Sequence, residues 1–534
     1  MPPTSGVSWA ERVNPCAGRT ARQPASDTDV RHPAQVLFLM DTNVAIKSDP
    51  LSKDVEDDYD LALRFQKLSA EGSHRLLLHP SSVTDSDRDP DEARSELRKR
   101  SFQRYSMLDG PPTRTPQQVA VLGEPVPGSN EAVDQDLLAA VMADAVAFLV
   151  TQDDGIHKKA RRLGVEDRVL RLADAIATIE GLFVRLPKPP PSVERRKAHE
   201  LDLTDPIWAS LREDYEGFDE WLAGARREQR DALVVGDDPT HLAAVCLLKD
   251  EPTGEYGISG PLLKISTFKV SPEFSGNKYG ELLLKAVFDQ CAASGPTGVY
   301  LTVFEKHAEL LDVFASFGFK LIDRQSRLGE LVLHKRLDPT EAECSAAEPL
   351  AYHVTFGPPA LKFTGTTPHI VPIEPRWHRL LFPDAEPAHL DEETLFPATA
   401  GVATHPFGNA LRKAYLCHAN TRQLSPGDPL LFYRSSDEKA VFVIGVCESI
   451  HASSNADEIA ALVGRRTVYT YAQIQAQVKH KEVLVVLFRQ AKVLRNDPIT
   501  LEDLKAAGAA QAWPQTIQRT RSEGTTWLTQ RLAA

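Results

Sequence analysis

The run Val36-Leu37-Phe38-Leu39-Met40-Asp41-Thr42-Asn43 decides how the first third of this chain is read. Five consecutive apolar residues predict a strand buried on both faces, and Asp-Thr-Asn ends it with a carboxylate, a hydroxyl and an amide. Three further acids sit at comparable places. Asp85 follows Leu76-Leu77-Leu78-His79-Pro80-Ser81-Ser82-Val83-Thr84, Asp136 precedes Leu137-Leu138-Ala139-Ala140-Val141, and Asp153 follows Phe148-Leu149-Val150-Thr151-Gln152. A buried carboxylate without a partner is costly. In an open parallel sheet the carboxyl ends of the strands line the ligand crevice, so these acids are expected to converge there. No basic residue recurs with similar regularity, which points to a hard cation, Mg²⁺ or Mn²⁺. The alternative is that they are N-caps and turn acids of an ordinary α/β domain.

The four motifs together resemble the PIN-domain nucleases over residues 34–183. That family opens on a strand ending Asp-Thr-Asn, has a second acid after a Pro-Ser-Ser-Val-like turn, and closes with a helix Asp-x-x-x-Ala and a strand Leu-Val-Thr-x-Asp. The resemblance implies an α/β/α fold on a parallel sheet, with Asp41, Asp85, Asp136 and Asp153 as catalytic and metal-binding acids. Asn43 and Thr151 would assist them. Asp134 and Asp154 are alternatives in register, and Asp85 stands where the family usually has Glu. The implied activity is metal-dependent cleavage of RNA by an endoribonuclease, a toxin or an RNA-processing factor. Its partners would be an RNA such as tRNA or mRNA and an inhibitory protein.

At 534 residues the chain is too long for one core. Its apolar and charged fractions, 42% and 25%, are those of a globular protein, and its net charge of −13 means any nucleic acid must be met by local basic patches. No apolar run reaches the length of a membrane span and no signal-peptide pattern opens the chain, so no membrane partner is expected. The six cysteines are scattered without a Cys-x-x-Cys pair, which argues against structural zinc or disulfides and for the cytoplasm. Residues 1–33 read as a disordered leader, and Leu186-Pro187-Lys188-Pro189-Pro190-Pro191-Ser192 marks a semi-rigid linker over 184–198. A second, acidic linker spans 338–349, and the polar stretch 84–100 is expected to form a helix near the acids.

In the middle block, Leu263-Lys264-Ile265-Ser266-Thr267-Phe268-Lys269-Val270 reads as a strand, followed by Ser275-Gly276-Asn277-Lys278-Tyr279-Gly280 and an amphipathic helix. A strand, a Gly-containing loop and a helix N-terminus form an anion site, because free amides and the helix dipole both face the loop. This stretch resembles the GNAT acetyltransferases over 199–337. The resemblance implies acetyl-CoA as cofactor, held by Val270, Ser275, Gly276, Asn277, Lys278, Tyr279 and Gly280. Two departures stand out. The family loop is Arg/Gln-x-x-Gly-x-Gly/Ala, against Ser275, Lys278 and Gly280 here, and the Tyr that often protonates the leaving thiolate is Phe314.

Residues 350–534 read as strand-rich. Pro426-Gly427-Asp428 enters an apolar strand ending Tyr433-Arg434, and Ile444-Gly445-Val446 belongs to its antiparallel partner. This resembles the small β-barrel of PUA-like, ASCH and EVE modules, which bind RNA or modified bases. Arg434, Arg465 and Arg466 are the expected nucleic-acid contacts, within a local basic and aromatic population. The whole chain is thus expected to be multidomain α/β and α+β, a nuclease carrying a GNAT-like domain and an RNA-binding barrel. The alternative is a GNAT N-acetyltransferase acting on tRNA or protein, with the PIN domain regulatory.

Overall fold

The computed structural model describes residues 36–47, 58–72, 74–82, 102, 105–183, 193–236, 241–385, 406–421 and 423–532. Asp85, the stretch 84–100, the leader 1–33 and the proline run of the first linker lie outside the described residues.

The quoted run forms β1 (Leu37–Met40), the centre of a wholly parallel sheet. Its companions are β2 (Arg75–Leu78), β3 (Ser106–Met107), β4 (Phe148–Val150) and β5 (Val169–Leu170), in the order β3-β2-β1-β4-β5. Phe38 and Met40 pack with Phe65 and Leu172 below one pair of helices, Tyr59–Glu71 and Leu172–Phe183. Leu39 packs with Leu137 and Ile156 below another pair, Asn130–Met142 and Asp154–Leu163. Helices on both faces bury the side chains of β1, hence the unbroken apolar run.

The second sheet comprises β6 (Glu194–Lys197), β7 (Asp231–Val235), β8 (Ala244–Glu251), β9 (Leu262–Val270), β10 (Gly298–Val303), β11 (Lys320–Gln325) and β12 (Leu331–Arg336). Its order is β11-β12-β10-β9-β8-β7-β6. Residues 194–197 were expected in a linker. They form instead an edge strand antiparallel to β7, where backbone pairing suffices and Glu-Arg-Arg-Lys side chains can stay solvated. β10 runs parallel to β9, and their pairing ends at Ile265 and Leu301 although β9 continues to Val270. β9 stays paired to β8 through Val270, with a register shift at Leu247/Leu248. The two parallel strands therefore diverge.

The third sheet holds β13 (His369–Ile373), β14 (Arg412–Cys417), β15 (Pro429–Arg434), β16 (Ala440–Ser453), β17 (Val483–Val493), β18 (Ile499–Thr500) and β19 (Gln518–Arg519). The path runs β14-β17-β16-β15-β13-β19 with β18 on β16, and no pairing among the described residues joins its two ends. The expected closed barrel is thus an open, mixed sheet. Helices on both faces, over the clusters around Phe432 and around Tyr433, bury what closure would otherwise protect.

The second linker is not extended either. Thr340 and Glu343 close a capping box on the helix Glu341–Ala346, and the next helix, Pro349–Phe356, packs on β12 and β16. Two linkers were expected to separate three blocks, but the described residues form one compact unit. Leu182 of the first block lies in the core of the third, and Leu411 of the third lies in the core of the second. Among the described residues no helix is long and apolar enough to cross a membrane.

Candidate functional site

Asp41, at the end of β1, is 7% exposed. Its Oδ1 accepts hydrogen bonds from the Thr42 amide at 2.6 Å and hydroxyl at 3.2 Å, and its Oδ2 from Asn43 Nδ2 at 2.8 Å and Thr151 Oγ1 at 2.6 Å. Burial pushes its carboxyl up to about 6, these bonds opposing and the nearby Asp134 adding to the rise. Asp153 caps the helix Asp154–Leu163, accepting from the Ile156 amide at 3.0 Å. Asp136 is paired with Arg114 at 2.7 Å, and Asp154 with Arg171. Asp134 is paired with Lys159 at 2.6 Å, and the same ammonium reaches Glu131 at 2.6 Å.

Asp41, Asp136 and Asp153 therefore do not assemble as a cation cage. Residues 134 and 136 are two apart on one helix and point to nearly opposite sides, so only one can face the end of β1. Asp134 is the one close enough to interact with both Asp41 and Asp153. Lys159 and Arg114 supply the basic partners that the sequence showed with no regular spacing. Among the described residues no three His, Cys, Asp or Glu side chains are grouped to hold a metal ion. As they stand, these residues do not fit Mg²⁺ or Mn²⁺.

One prediction arises here. A carboxyl raised in the native state favours the protonated form there, so Asp41 stabilises the fold least at high pH. Its contribution should fall by roughly 3 kcal/mol as pH rises from about 4 to 6. Asp41→Asn is expected to remove that part of the decline in urea unfolding measured across this range. An identical decline in the variant refutes it.

The diverging ends of β9 and β10 open into a cavity of about 1820 Å³ walled by all three blocks. Val270, Ser275, Gly276, Lys278, Tyr279 and Gly280 line it. Asn277 is turned to structural work, its side chain bonding the Phe274 carbonyl and its carbonyl accepting from Asn409. The helix Tyr279–Ser294 starts from the loop with no side-chain cap, so its first-turn amides are open to an anion. Gly276 has φ +81°, and a Cβ there would stand 2.5 Å from the Ala173 carbonyl oxygen of the first block. Lys278 also adopts a left-handed φ of +61°, and its ammonium lies 3.1 Å from Glu281. Phe314 is fully buried against Phe268, ring centroids 5.1 Å apart, and offers no proton.

After β10, His307 Nε2 lies 3.0 Å from Asp214 Oδ2, while Lys306 bonds the second oxygen. His307 is 39% exposed and lines the cavity. Tyr215 donates to Glu330 Oε1 at 2.8 Å and Ser326 to Oε2 at 2.7 Å. Glu330 is 5% exposed and has no basic partner among the described residues. Sequence reasoning marked none of these, because Asp214 and His307 lie 93 positions apart and carry no motif.

The arginines expected to meet nucleic acid are each paired with a carboxylate. Arg434 is buried and paired with Asp437 at 2.6 Å. Arg466 is buried between Glu448 and Asp167 of the first block. Arg465 is paired with Asp174, also of the first block, at 2.8 Å. Glu448 further holds Arg412 at 2.9 Å and Arg489 at 2.6 Å, and Arg489 donates to the Ser316 carbonyl of the second block. Basic residues dense in sequence thus serve as the joint between blocks.

Residues 195–319 match the Acetyltransferase (GNAT) family, so the chain contains a GNAT acetyltransferase domain. No curated protein matches the chain. Among solved structures, the ASCH protein from Zymomonas mobilis is 15% identical, covering 30% of this chain and 93% of its own, with a TM-score of 0.21. A putative GNAT acetyltransferase from Desulfovibrio desulfuricans is 15% identical over 27% of this chain and 99% of its own, TM-score 0.21. The PaiA N-acetyltransferase of Thermoplasma acidophilum, in complex with coenzyme A, is 19% identical over 27% and 99%, TM-score 0.20.

Proposed function

We propose that this chain is an acetyl-CoA-dependent N-acetyltransferase whose acceptor is an amine carried by a protein or small molecule. The observation that carries this reading is the divergence of β9 from β10 within the GNAT domain, opening a cavity from the uncapped loop 275–280 to the His307–Asp214 pair. Acetyl-CoA, when bound, supplies the acyl group as a thioester. The amides of Gly276 and of Lys278 to Gly280 take its phosphates. The β9 backbone beyond Ile265, unpaired on the β10 side, is available to an extended amide chain.

Glu330 and Tyr215 receive the cationic acceptor, since a buried carboxylate without a counter-ion favours an ammonium. His307, held by Asp214, takes the proton that makes the amine nucleophilic, and that proton is then available to the leaving sulfur. With phenylalanine at position 314, no side chain there competes for this role. A ribonuclease reading has less support, because Lys159 and Arg114 neutralise the acids it requires.

The test incubates the purified chain with acetyl-CoA and separate panels of polyamines, lysine-containing peptides and tRNA, following thiol release and acetylated product. Acceptor-dependent thiol release from a peptide or polyamine is expected. No transfer to any amine, together with Mn²⁺-dependent RNA cleavage, would overturn the proposal and restore the nuclease.

A further inference from the structure

The loop that would receive the cofactor's phosphates is short of positive charge. Its one cation, Lys278, faces Glu281 at 3.1 Å, and Asp174 of the first block acts on the same ammonium. A phosphate group brought here needs another donor, and four arginines of the third block line the cavity: Arg412, Arg465, Arg466 and Arg489.

Three of them are committed. Arg412 bonds Glu448 through Nε at 2.9 Å and lies 3.7 Å from Asp167. Arg466 bonds Glu448 and Asp167. Arg489 bonds Glu448 and the Ser316 carbonyl. Arg465 differs. Among the described residues its only polar contact is Nη2 to Asp174 at 2.8 Å, and its side chain, 22% exposed, is the most accessible of the four; its Nε, like that of Arg466, has no hydrogen-bond partner. A guanidinium carries five N–H donors in a planar fork that matches phosphate, so most of this one's capacity is unused. It also lies near Glu281, in the first turn of the helix that follows the loop.

We propose that Arg465, contributed by the third block and steadied by Asp174 of the first, is a phosphate-binding residue of the acetyl-CoA site. The assignment rests on the acetyltransferase reading. It makes the cofactor site a composite of all three blocks and gives the other two a role in catalysis without chemistry of their own. It also gives Arg465 the phosphate chemistry expected from sequence, with a nucleotide cofactor in place of a nucleic acid. Two phosphate groups of CoA could be its partner, the pyrophosphate or the 3′-phosphate.

The experiment is calorimetric titration of the full chain with CoA, 3′-dephospho-CoA and pantetheine. Arg465→Gln removes the charge and keeps most of the length, and it is expected to weaken CoA by about 10- to 100-fold. Pantetheine, which has no phosphate, should be unaffected. Arg465→Lys should recover much of the loss, which separates lost charge from a disturbed fold. If Arg465 meets the 3′-phosphate, dephospho-CoA binds wild type and Arg465→Gln alike; if it meets the pyrophosphate, both nucleotides weaken together. CoA binding equally to wild type and Arg465→Gln overturns the assignment alone. Wild type that fails to bind CoA overturns the acetyltransferase reading as well.

Discussion

Replacing Glu448 with glutamine is expected to destabilise the protein by about 3–5 kcal/mol, because it removes the buried charge that three arginines share. Glu448 accepts from Arg412, Arg466 and Arg489, and all four side chains are largely removed from water. Burial works against its charged form, yet the guanidiniums of Arg466, Arg412 and Arg489 hold its carboxyl well below the usual carboxylate range. Asp167 belongs to the same joint: burial opposes its ionisation, and Arg466, Arg412 and Arg465 bring it down to about 2. Carboxyls depressed in the native state stabilise it fully above their ordinary pKa and lose that contribution as pH falls through the native values. The joint should therefore weaken between about pH 4 and 2 in the wild type. Urea unfolding at pH 7 checks the first expectation and an acid titration the second. A Glu448→Gln midpoint equal to wild type at pH 7 would show that the arginines find other partners.

His307→Gln is expected to lower kcat of acetyl transfer by about 10²- to 10⁴-fold while leaving the KM for acetyl-CoA near its wild-type value. His307 is 39% exposed, contacts Asp214 and lies outside the loop 275–280, so neither fold nor cofactor affinity should depend on it. Asp214→Asn should show a smaller loss in the same parameter, since the imidazole remains but is no longer held by a carboxylate. A rise in KM for acetyl-CoA with kcat unchanged would place His307 in cofactor binding instead of proton transfer.

Much of the architecture is local information. An apolar run buried on both faces defines β1 without reference to anything distant, and the Gly-containing loop before an amphipathic helix marks where β9 gives way to the helix Tyr279–Ser294. The parallel first sheet and the acetyltransferase domain were both legible in this way. Edge strand β6 was not, because an edge demands only backbone pairing and its side chains leave no apolar signature. The helix Glu341–Ala346 was legible in principle, since Thr340 and Glu343 spell a capping box within an acidic stretch.

What sequence could not decide is the partner of each charge. Asp134 and Asp136 are equivalent on paper, and only the turn of their helix gives one to Lys159 beside Asp41 and the other to Arg114. Arg465 and Arg466 read as a basic patch, yet the docking of the first block brings Asp174 and Asp167 against them. Local hydrophobic period determines which segments are strands and helices, because burial acts on each element's own faces. Whether an ion pair forms depends on a few ångströms between residues hundreds of positions apart, and only the packing of the three blocks sets that distance.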